Sequence, residues 1–204
     1  MVVIAGTGSS CYGRNAAGES WKAGGWEWLF DNQGGAYRVA LAGLEAAVRE
    51  YDGRGESTGL TPALVTALGV ATTEALVARL RPDQLETAEL AAVAPVVLAV
   101  AERGDAVAVG IARHQADELA VAAEAVSRRL GLLGEPHAVT YTGSLLLKNE
   151  FYRGLFTAAV QRRMPLAQVV SPRLSPVLGA VVLALQTARW PVTEPVLERL
   201  GESS

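Results

Sequence analysis

Short segments rich in β-branched and aromatic residues stand on either side of a long helix-forming stretch, and this order constrains the fold most. The chain opens with Val2, Val3 and Ile4 before a glycine turn, and "SCYGRN" and "SWKAGG" follow at the spacing of hairpin-connected strands. Such segments return only in "HAVTYTGS" and "LAQVVSP". We therefore predict an α/β fold in which an antiparallel meander precedes a strand–helix–strand–helix unit, giving a mixed sheet.

The regions between these segments have helical periodicity. An amphipathic helix is predicted to start at Ala36 and end near "DGRG", and residues 60–132 are predicted to form a helical insertion. A helix from about Asn149 to Arg163 and a last core helix around "VLGAVVLALQ" complete the pattern. The predicted apolar face of the first helix consists of Tyr37, Leu41, Leu44, Val48 and Tyr51. The predicted apolar face of the 149–163 helix includes Phe151, Leu155 and Ala159. The insertion is predicted to break at Gly69, Pro82, Pro95 and Gly104.

Composition narrows the classes of function. The 18 basic and 21 acidic residues give a net charge of −3, with no basic stripe for nucleic acid or an anionic membrane. The longest apolar run is interrupted by Pro95, so we expect a core helix rather than a membrane span. Cys11 stands alone and is expected to be buried, and with His114 and His137 it forms no zinc pattern, so no metal site is predicted. No secretory leader is recognised, and we expect a cytoplasmic protein.

Two glycine turns are the candidates for chemistry. "GTGSS" places backbone amides where an anion could approach, with hydroxyls at Thr7 and Ser9 as further donors. An equally acceptable interpretation is a plain hairpin turn. The second turn, in "TYTGS", ends a strand before a helix, which is where open α/β sheets bind ligands. Two such turns in one domain favour a nucleotide site.

Four motifs in order carry a resemblance to a known family: "IAGTGSSC", "GGWEWLFDNQGGAY", "TGSLLLKNEFYRGL" and "SPVLGAVVLAL". Together they resemble the carboxyl-terminal domain of the BadF/BadG/BcrA/BcrD-type ATPases, and among them the N-acetylglucosamine kinases. The resemblance covers essentially the whole chain. It implies the second, ribonuclease-H-like domain of the sugar kinase, Hsc70 and actin superfamily, occupying residues 1–204 with the insertion at about 60–132.

The resemblance also implies roles for individual residues. The nucleotide-binding set is Gly6, Thr7, Gly8 and Ser9 at the phosphates, Gly143 and Ser144 under the adenosine, and Pro176, Gly179 and Ala180 in a closing helix beside Ser175. The sugar-binding set is Thr7, Gly25, Trp26, Asp31 and Asn32, with Gly24 in the same segment. The catalytic residues are not among those recognised.

One departure from the family pattern concerns the sugar. The kinases carry Gly-Asp-Glu-Gly where this chain has Asp31, Asn32, Gln33 and Gly34, so two carboxylates are replaced by amides. A carboxylate that accepts hydrogen bonds is worth roughly 1.5–3 kcal/mol, and an amide has one acceptor oxygen only. We therefore expect weakened hexose binding unless Asp31 substitutes for the missing acid.

The second departure concerns the extent of the chain. The resemblance implies that a preceding amino-terminal domain supplies the first phosphate loop, the magnesium aspartate and the base, and we expect these 204 residues to correspond to the second domain. ATP and Mg²⁺ are therefore expected to be shared with an amino-terminal domain, and the isolated chain is expected to be inactive. An apolar face near Met1, Leu178 and Val182 is expected to meet that domain or a second copy. A non-catalytic binding module is the alternative.

Overall fold

The computed structural model describes residues 1–27, 29–79 and 86–202. Its strands are β1 (Val2–Ala5), β2 (Ser9–Arg14), β3 (Ser20–Gly24), β4 (His137–Thr142) and β5 (Ala167–Val170). Its helices are α1 (Ala36–Tyr51), α2 (Leu60–Ala67), α3 (Thr73–Arg79), α4 (Thr87–Ala91), α5 (Ala94–Glu102), α6 (Ala106–Arg129), α7 (Ser144–Lys148), α8 (Glu150–Arg163), α9 (Pro176–Thr187) and α10 (Glu194–Glu202).

The five strands form one mixed sheet in the order β3-β2-β1-β4-β5. Strands β1 to β3 pair antiparallel, and β1 pairs in parallel with β4, with Val3 opposite Cys11 on one side and Tyr141 on the other. The β-branched residues of β1 suit this central position because both edges of the strand are hydrogen-bonded. The prediction of an α/β fold with a mixed sheet is confirmed.

Helices α2 to α6 account for the predicted helical insertion. The chain breaks after α2 near Gly69 and between α5 and α6 at Gly104, as predicted. Pro95 marks the break between α4 and α5, because it lies in the first turn of α5, where its missing N–H costs no hydrogen bond. Pro82 lies outside the described residues. The 24-residue α6 packs on β1 and β2 and along α8, so it joins the insertion to the sheet.

Helix α1 is present, but of its predicted apolar face only Leu44 is buried. The buried residues are Ala36, Val39, Ala40, Gly43, Leu44 and Ala47, and Tyr51 is exposed. Gly43 explains why the buried face of α1 is rotated away from the predicted one, since a Cβ at Gly43 would lie 2.4 Å from Cγ2 of Val97 on α5. The helix therefore packs through small residues that allow close approach, and the larger side chains lie at the margin of the contact.

Helix α8 shows the same kind of difference. Its buried residues are Tyr152, Phe156, Ala159 and Val160, whereas the predicted Phe151 and Leu155 are half-buried. The hydroxyl of Tyr152 donates to a backbone carbonyl inside the core, which lets this polar aromatic residue take the most buried position.

Two compact units are present, Met1–Val169 and the residues from Val170 onward. The second contains α9 and α10. The prediction that α9 is a helix is confirmed, but no residue of it is buried, so it is not a core helix. Its most exposed apolar side chains are Val177 and Leu183, while the predicted Leu178 and Val182 are half-buried. Within the described ranges, no helix combines the length and the apolarity that a membrane crossing needs.

Candidate functional site

The turn between β1 and β2 is joined to the start of α1 by backbone hydrogen bonds. The Gly6 amide donates to the Gly8 carbonyl at 2.9 Å, which closes the turn. The Gly6 and Thr7 carbonyls in turn accept from the amides of Ala36 and Tyr37, at 2.8 and 3.0 Å. These carbonyls cap α1, whose N-cap residue provides no side-chain cap.

Two backbone donors of this turn are free. Neither the Thr7 nor the Gly8 amide is paired within the part of the chain that the structure describes, and Thr7 is exposed. The Ser9 hydroxyl donates to the Gln33 carbonyl at 2.6 Å, so its proton is not available to a ligand, contrary to the sequence-based expectation. Two successive free amides in a tight turn are what an anion site needs.

The second glycine turn lies directly against the first. A Cβ on Gly143 would be 2.3 Å from the Ala5 carbonyl oxygen and 2.8 Å from the Gly6 nitrogen. Gly143 also has φ +91° and ψ 153°, a region that is accessible essentially to glycine alone. The parallel pairing of β1 and β4 brings the ends of both strands together, so the structure places Gly143 and exposed Ser144 beside the Gly6–Ser9 turn.

The segment before α1 closes the other side of the turn. A Cβ on Gly8 would be 2.4 Å from Oδ1 of Asn32, so the Asn32 amide lies over Gly8. The Asn32 side chain has no hydrogen-bond partner among the described residues, and its backbone has φ +78°. Gly35 lies as close, since its Cβ would be 2.7 Å from the Gly8 carbonyl carbon. Close approach on three sides, by the Asn32 side chain and by the backbones at Gly35 and Gly143, thus explains why small residues occupy this site.

The predicted sugar-binding residues lie at the neighbouring edge of the sheet. Gly25, with φ +71°, approaches Ser10, and Asp31 reaches Gly24, whose Cβ would lie 3.4 Å from the Asp31 Oδ2. Trp26 is 67% exposed, and the ammonium of Lys22 stands 5.3 Å from its ring centre. Trp28, the third tryptophan of the stretch, is outside the described residues.

Sequence reasoning missed two residues that hold the segment before α1. Gln115 of α6 accepts from the Gly34 amide at 2.7 Å and donates to Oε1 of Gln33 at 3.3 Å. Tyr152 of α8 donates to the Gly34 carbonyl at 2.9 Å. Burial raises the pKa of the Tyr152 hydroxyl, which therefore keeps its proton as a donor. A buried glutamine within the apolar face of α6 is the only sequence signal that could have drawn attention to this contact.

The charges around the turn are few. The Arg38 guanidinium donates to the Asp31 carbonyl at 3.4 Å. Burial raises the pKa of the Cys11 thiol to about 12, so this residue is neutral and, as expected, part of the core. Among the described residues, no three His, Cys, Asp or Glu side chains are grouped so that they could hold a metal ion.

The sheet, in which β4 continues the antiparallel unit in parallel with β1 and β5 lies outermost, has the ribonuclease-H-like fold. Its glycine turns lie at the edge of the sheet where this fold class binds ligands. The chain belongs to the BadF/BadG/BcrA/BcrD ATPase family, whose model matches residues 1–184.

Two relatives are named as kinases. The N-acetylmuramic acid/N-acetylglucosamine kinase of Clostridium acetobutylicum is 28% identical over 184 residues, which are 90% of this chain and 60% of that protein. The N-acetyl-D-glucosamine kinase of Dictyostelium discoideum is 27% identical over 191 residues, 93% of this chain and 60% of the relative. The chain thus spans about three fifths of the length of both relatives.

Two solved structures share the fold. A protein from Chromobacterium violaceum assigned as an N-acetylglucosamine kinase matches with a TM-score of 0.72 at 24% identity, over 89% of this chain and 58% of its own. A similarly assigned protein from Porphyromonas gingivalis matches with a TM-score of 0.64 at 16% identity and the same coverage.

Proposed function

We propose that this chain is the nucleotide-binding half of an N-acetylglucosamine kinase-like phosphotransferase and that catalysis requires an amino-terminal domain, in the same or another polypeptide. Membership of an ATPase family and similarity to two named kinases support the class of reaction. The observation that carries the proposal is the pair of free amides at Thr7 and Gly8, enclosed by Gly143. ATP or ADP phosphates would accept from these amides.

The remaining nucleotide contacts follow the family resemblance. Ser144 would lie near the ribose and base, beside Gly143. Pro176, Gly179 and Ala180 of α9 stay candidates for the border of the adenosine site; of these, Pro176 begins that helix, with Ser175 as its side-chain cap. The helix is apolar, as a surface that adjoins a base or a second domain would be.

Phosphoryl transfer needs charge neutralisation at the phosphates, and we propose that the amino-terminal domain completes it. The residues described hold no group of three possible metal ligands, and the Asp31 carboxylate reaches Gly24 of the predicted sugar segment. Mg²⁺ would neutralise charge on the phosphates, and we propose that carboxylates of the amino-terminal domain hold it. This chain's share of the work is to bind and orient the nucleotide.

A non-catalytic binding module is a second candidate, and one observation favours it. The Gln33 amide, which replaces a family carboxylate, bonds with Gln115 inside the fold rather than facing the predicted sugar site. Asn32 covers the turn at Gly8. A chain that has exchanged both acids could retain nucleotide binding without the sugar, because the predicted site of Thr7, Gly25, Trp26 and Asp31 would lack two carboxylates that accept from sugar hydroxyls.

The test of nucleotide binding uses Gly6→Ala. A Cβ on Gly6 meets no atom within 4 Å, so the substitution fits the fold and fills only the space a ligand would take. We expect unchanged stability and at least a tenfold loss of ADP affinity in titration calorimetry. Gly154→Ala, which also enters open space but on α8, is the matched control and should bind ADP normally. Equal ADP affinity of the Gly6 and Gly154 variants would contradict a phosphate site at this turn.

The two candidate functions differ in a second measurement. A phosphotransferase half should show ATP-dependent phosphorylation of N-acetylglucosamine when it is joined to an amino-terminal domain of a relative, and none alone. The Asn32→Asp/Gln33→Glu variant restores both family carboxylates and should strengthen sugar binding, since each carboxylate adds acceptor capacity. Absence of turnover in the joined protein, with nucleotide binding intact, supports the binding module.

A further inference from the structure

Gly34 is held at both of its backbone polar groups by side chains from two different helices. Its amide donates to Oε1 of Gln115 on α6, and its carbonyl accepts from the hydroxyl of Tyr152 on α8. Gln115 is 4% exposed and Tyr152 is fully buried. Buried backbone groups need such partners, because leaving one unpaired costs free energy.

The backbone N–H and C=O of Gly34 have little room to reach other hydrogen-bond partners. Gly34 has φ +84°, and a Cβ would lie 2.4 Å from Cγ of Leu119, which presses the segment directly onto α6. Water is excluded from the buried Gly34 on this side. The position of the segment before α1 is therefore held by the two hydrogen bonds together with the close contact between Gly34 and Leu119.

This segment in turn determines the shape of the phosphate turn. The Gln33 carbonyl accepts from the Ser9 hydroxyl, and Asn32 and Gly35 both lie against Gly8. A shift of Gly34 would therefore move the contacts on Gly8, whose amide is one of the two free donors. The side chains of α6 and α8 therefore act on the turn through the backbone of Gly34.

We propose that Gln115 and Tyr152 are positioning residues for the Gly6–Ser9 turn. They hold the backbone of Gly34 so that the amides of Thr7 and Gly8 are already aligned before an anion binds. The part of this proposal that concerns ADP affinity rests on the proposed nucleotide site, and the part that concerns the geometry of the turn does not. Prior alignment raises affinity, since a ligand binds only the competent fraction of the protein.

The experiment compares two variants with two controls. Tyr152→Phe removes one oxygen and keeps the buried ring, and Gln115→Met keeps the length of the side chain and removes both hydrogen bonds. Tyr51→Phe makes the same chemical change at the exposed far end of α1. Val160→Ala loosens α8 two turns from Tyr152 without a contact to Gly34, so it controls for lost stability.

Two measurements are made on the folded proteins. Backbone amide chemical shifts of Thr7 and Gly8 in the ligand-free protein report the geometry of the turn, and titration calorimetry reports ADP affinity. We expect Tyr152→Phe and Gln115→Met to shift these amide resonances. Both should weaken ADP binding by about 2- to 10-fold, the range that one lost hydrogen bond gives. Both controls should leave the shifts and the affinity as in the parent.

Each outcome has a distinct meaning. Unmoved turn resonances in Tyr152→Phe overturn the positioning role, whatever happens to ADP, and this variant decides alone if Gln115→Met does not fold. Equal shifts in Val160→Ala overturn it too, because general loosening would then explain the effect. Moved resonances together with no ADP binding by the parent chain overturn the nucleotide site and leave the positioning role in place.

Discussion

The close approach of the two strand ends makes Gly143 the most sensitive glycine of the site. In Gly143→Ala the backbone must hold φ +91° and ψ 153° with a side chain, which costs about 1–3 kcal/mol. The new Cβ would also stand 2.3 Å from the Ala5 carbonyl oxygen, so the two backbones must separate by several tenths of an ångström. Such overpacking costs roughly a further 1–3 kcal/mol.

Gly104→Ala is the control that carries a conformational cost without the overpacking. Gly104 has the same φ of +91°, but a Cβ there meets no atom within 4 Å. Its cost is therefore conformational only, about 1–2 kcal/mol. Both substitutions restrict the unfolded chain equally, so that contribution cancels in the comparison. We expect Gly143→Ala to lower the free energy of unfolding by about 2 kcal/mol more than Gly104→Ala.

Urea denaturation followed by far-ultraviolet circular dichroism measures both variants against the parent chain. The comparison uses midpoints at equal slopes, because a changed slope would indicate loss of two-state behaviour. If Gly143→Ala costs no more than Gly104→Ala, the contact between the β4 turn and the end of β1 does not constrain the site as argued.

Three further predictions concern the core and the helices. Burial raises the pKa of Cys11 to about 12, so at pH 8 its alkylation should be at least about a thousandfold slower in the folded than in the urea-unfolded chain, and fast labelling would contradict its burial. The hydrogen-bonded Arg163 guanidinium holds the pKa of Asp117 below its usual range, so Asp117→Asn should lower the free energy of unfolding by about 1 kcal/mol at pH 7. This difference from the parent chain should vanish as pH falls through the native carboxyl pKa, because the protonated Asp117 no longer pairs with Arg163. Denaturation at pH 7 and pH 2.5 checks this. Gly43→Ala should destabilise by about 1 kcal/mol despite the better helix propensity of alanine, because its Cβ meets Val97, and a thermal melt that shows stabilisation would refute the close packing.

The sequence was sufficient to predict the mixed sheet and the two glycine turns, because strand runs and turn glycines are local signals. β-branched runs and glycine punctuation locate β1 and β4, and parallel pairing then brings their ends together. The faces of α1 and α8 were not predictable in the same way. Hydrophobicity favoured Tyr51 and Phe151, but the helices pack through Gly43 and Tyr152, where close approach and a buried hydrogen bond decide.

The internal support of the site was also beyond sequence reasoning. The contact of Gln115 with Gly34 spans 81 positions, and that of Tyr152 spans 118. No periodicity relates residues so far apart. The hydrogen bond from Ser9 to Gln33 similarly removed a donor that the motif alone had offered to the ligand. Roles assigned to side chains from a motif therefore needed the structure, whereas the position of the backbone turn did not.

The capping of α1 by the Gly6 and Thr7 carbonyls makes the turn and the helix one cooperative unit. Opening the turn leaves the amides of Ala36 and Tyr37 without acceptors, so the first turn of α1 should unravel with it. Hydrogen exchange at these two amides would then occur through the same sub-global opening as the turn, with one shared free energy. An anion that ties down Thr7 and Gly8 would slow exchange at the helix start, although it touches no atom of the helix.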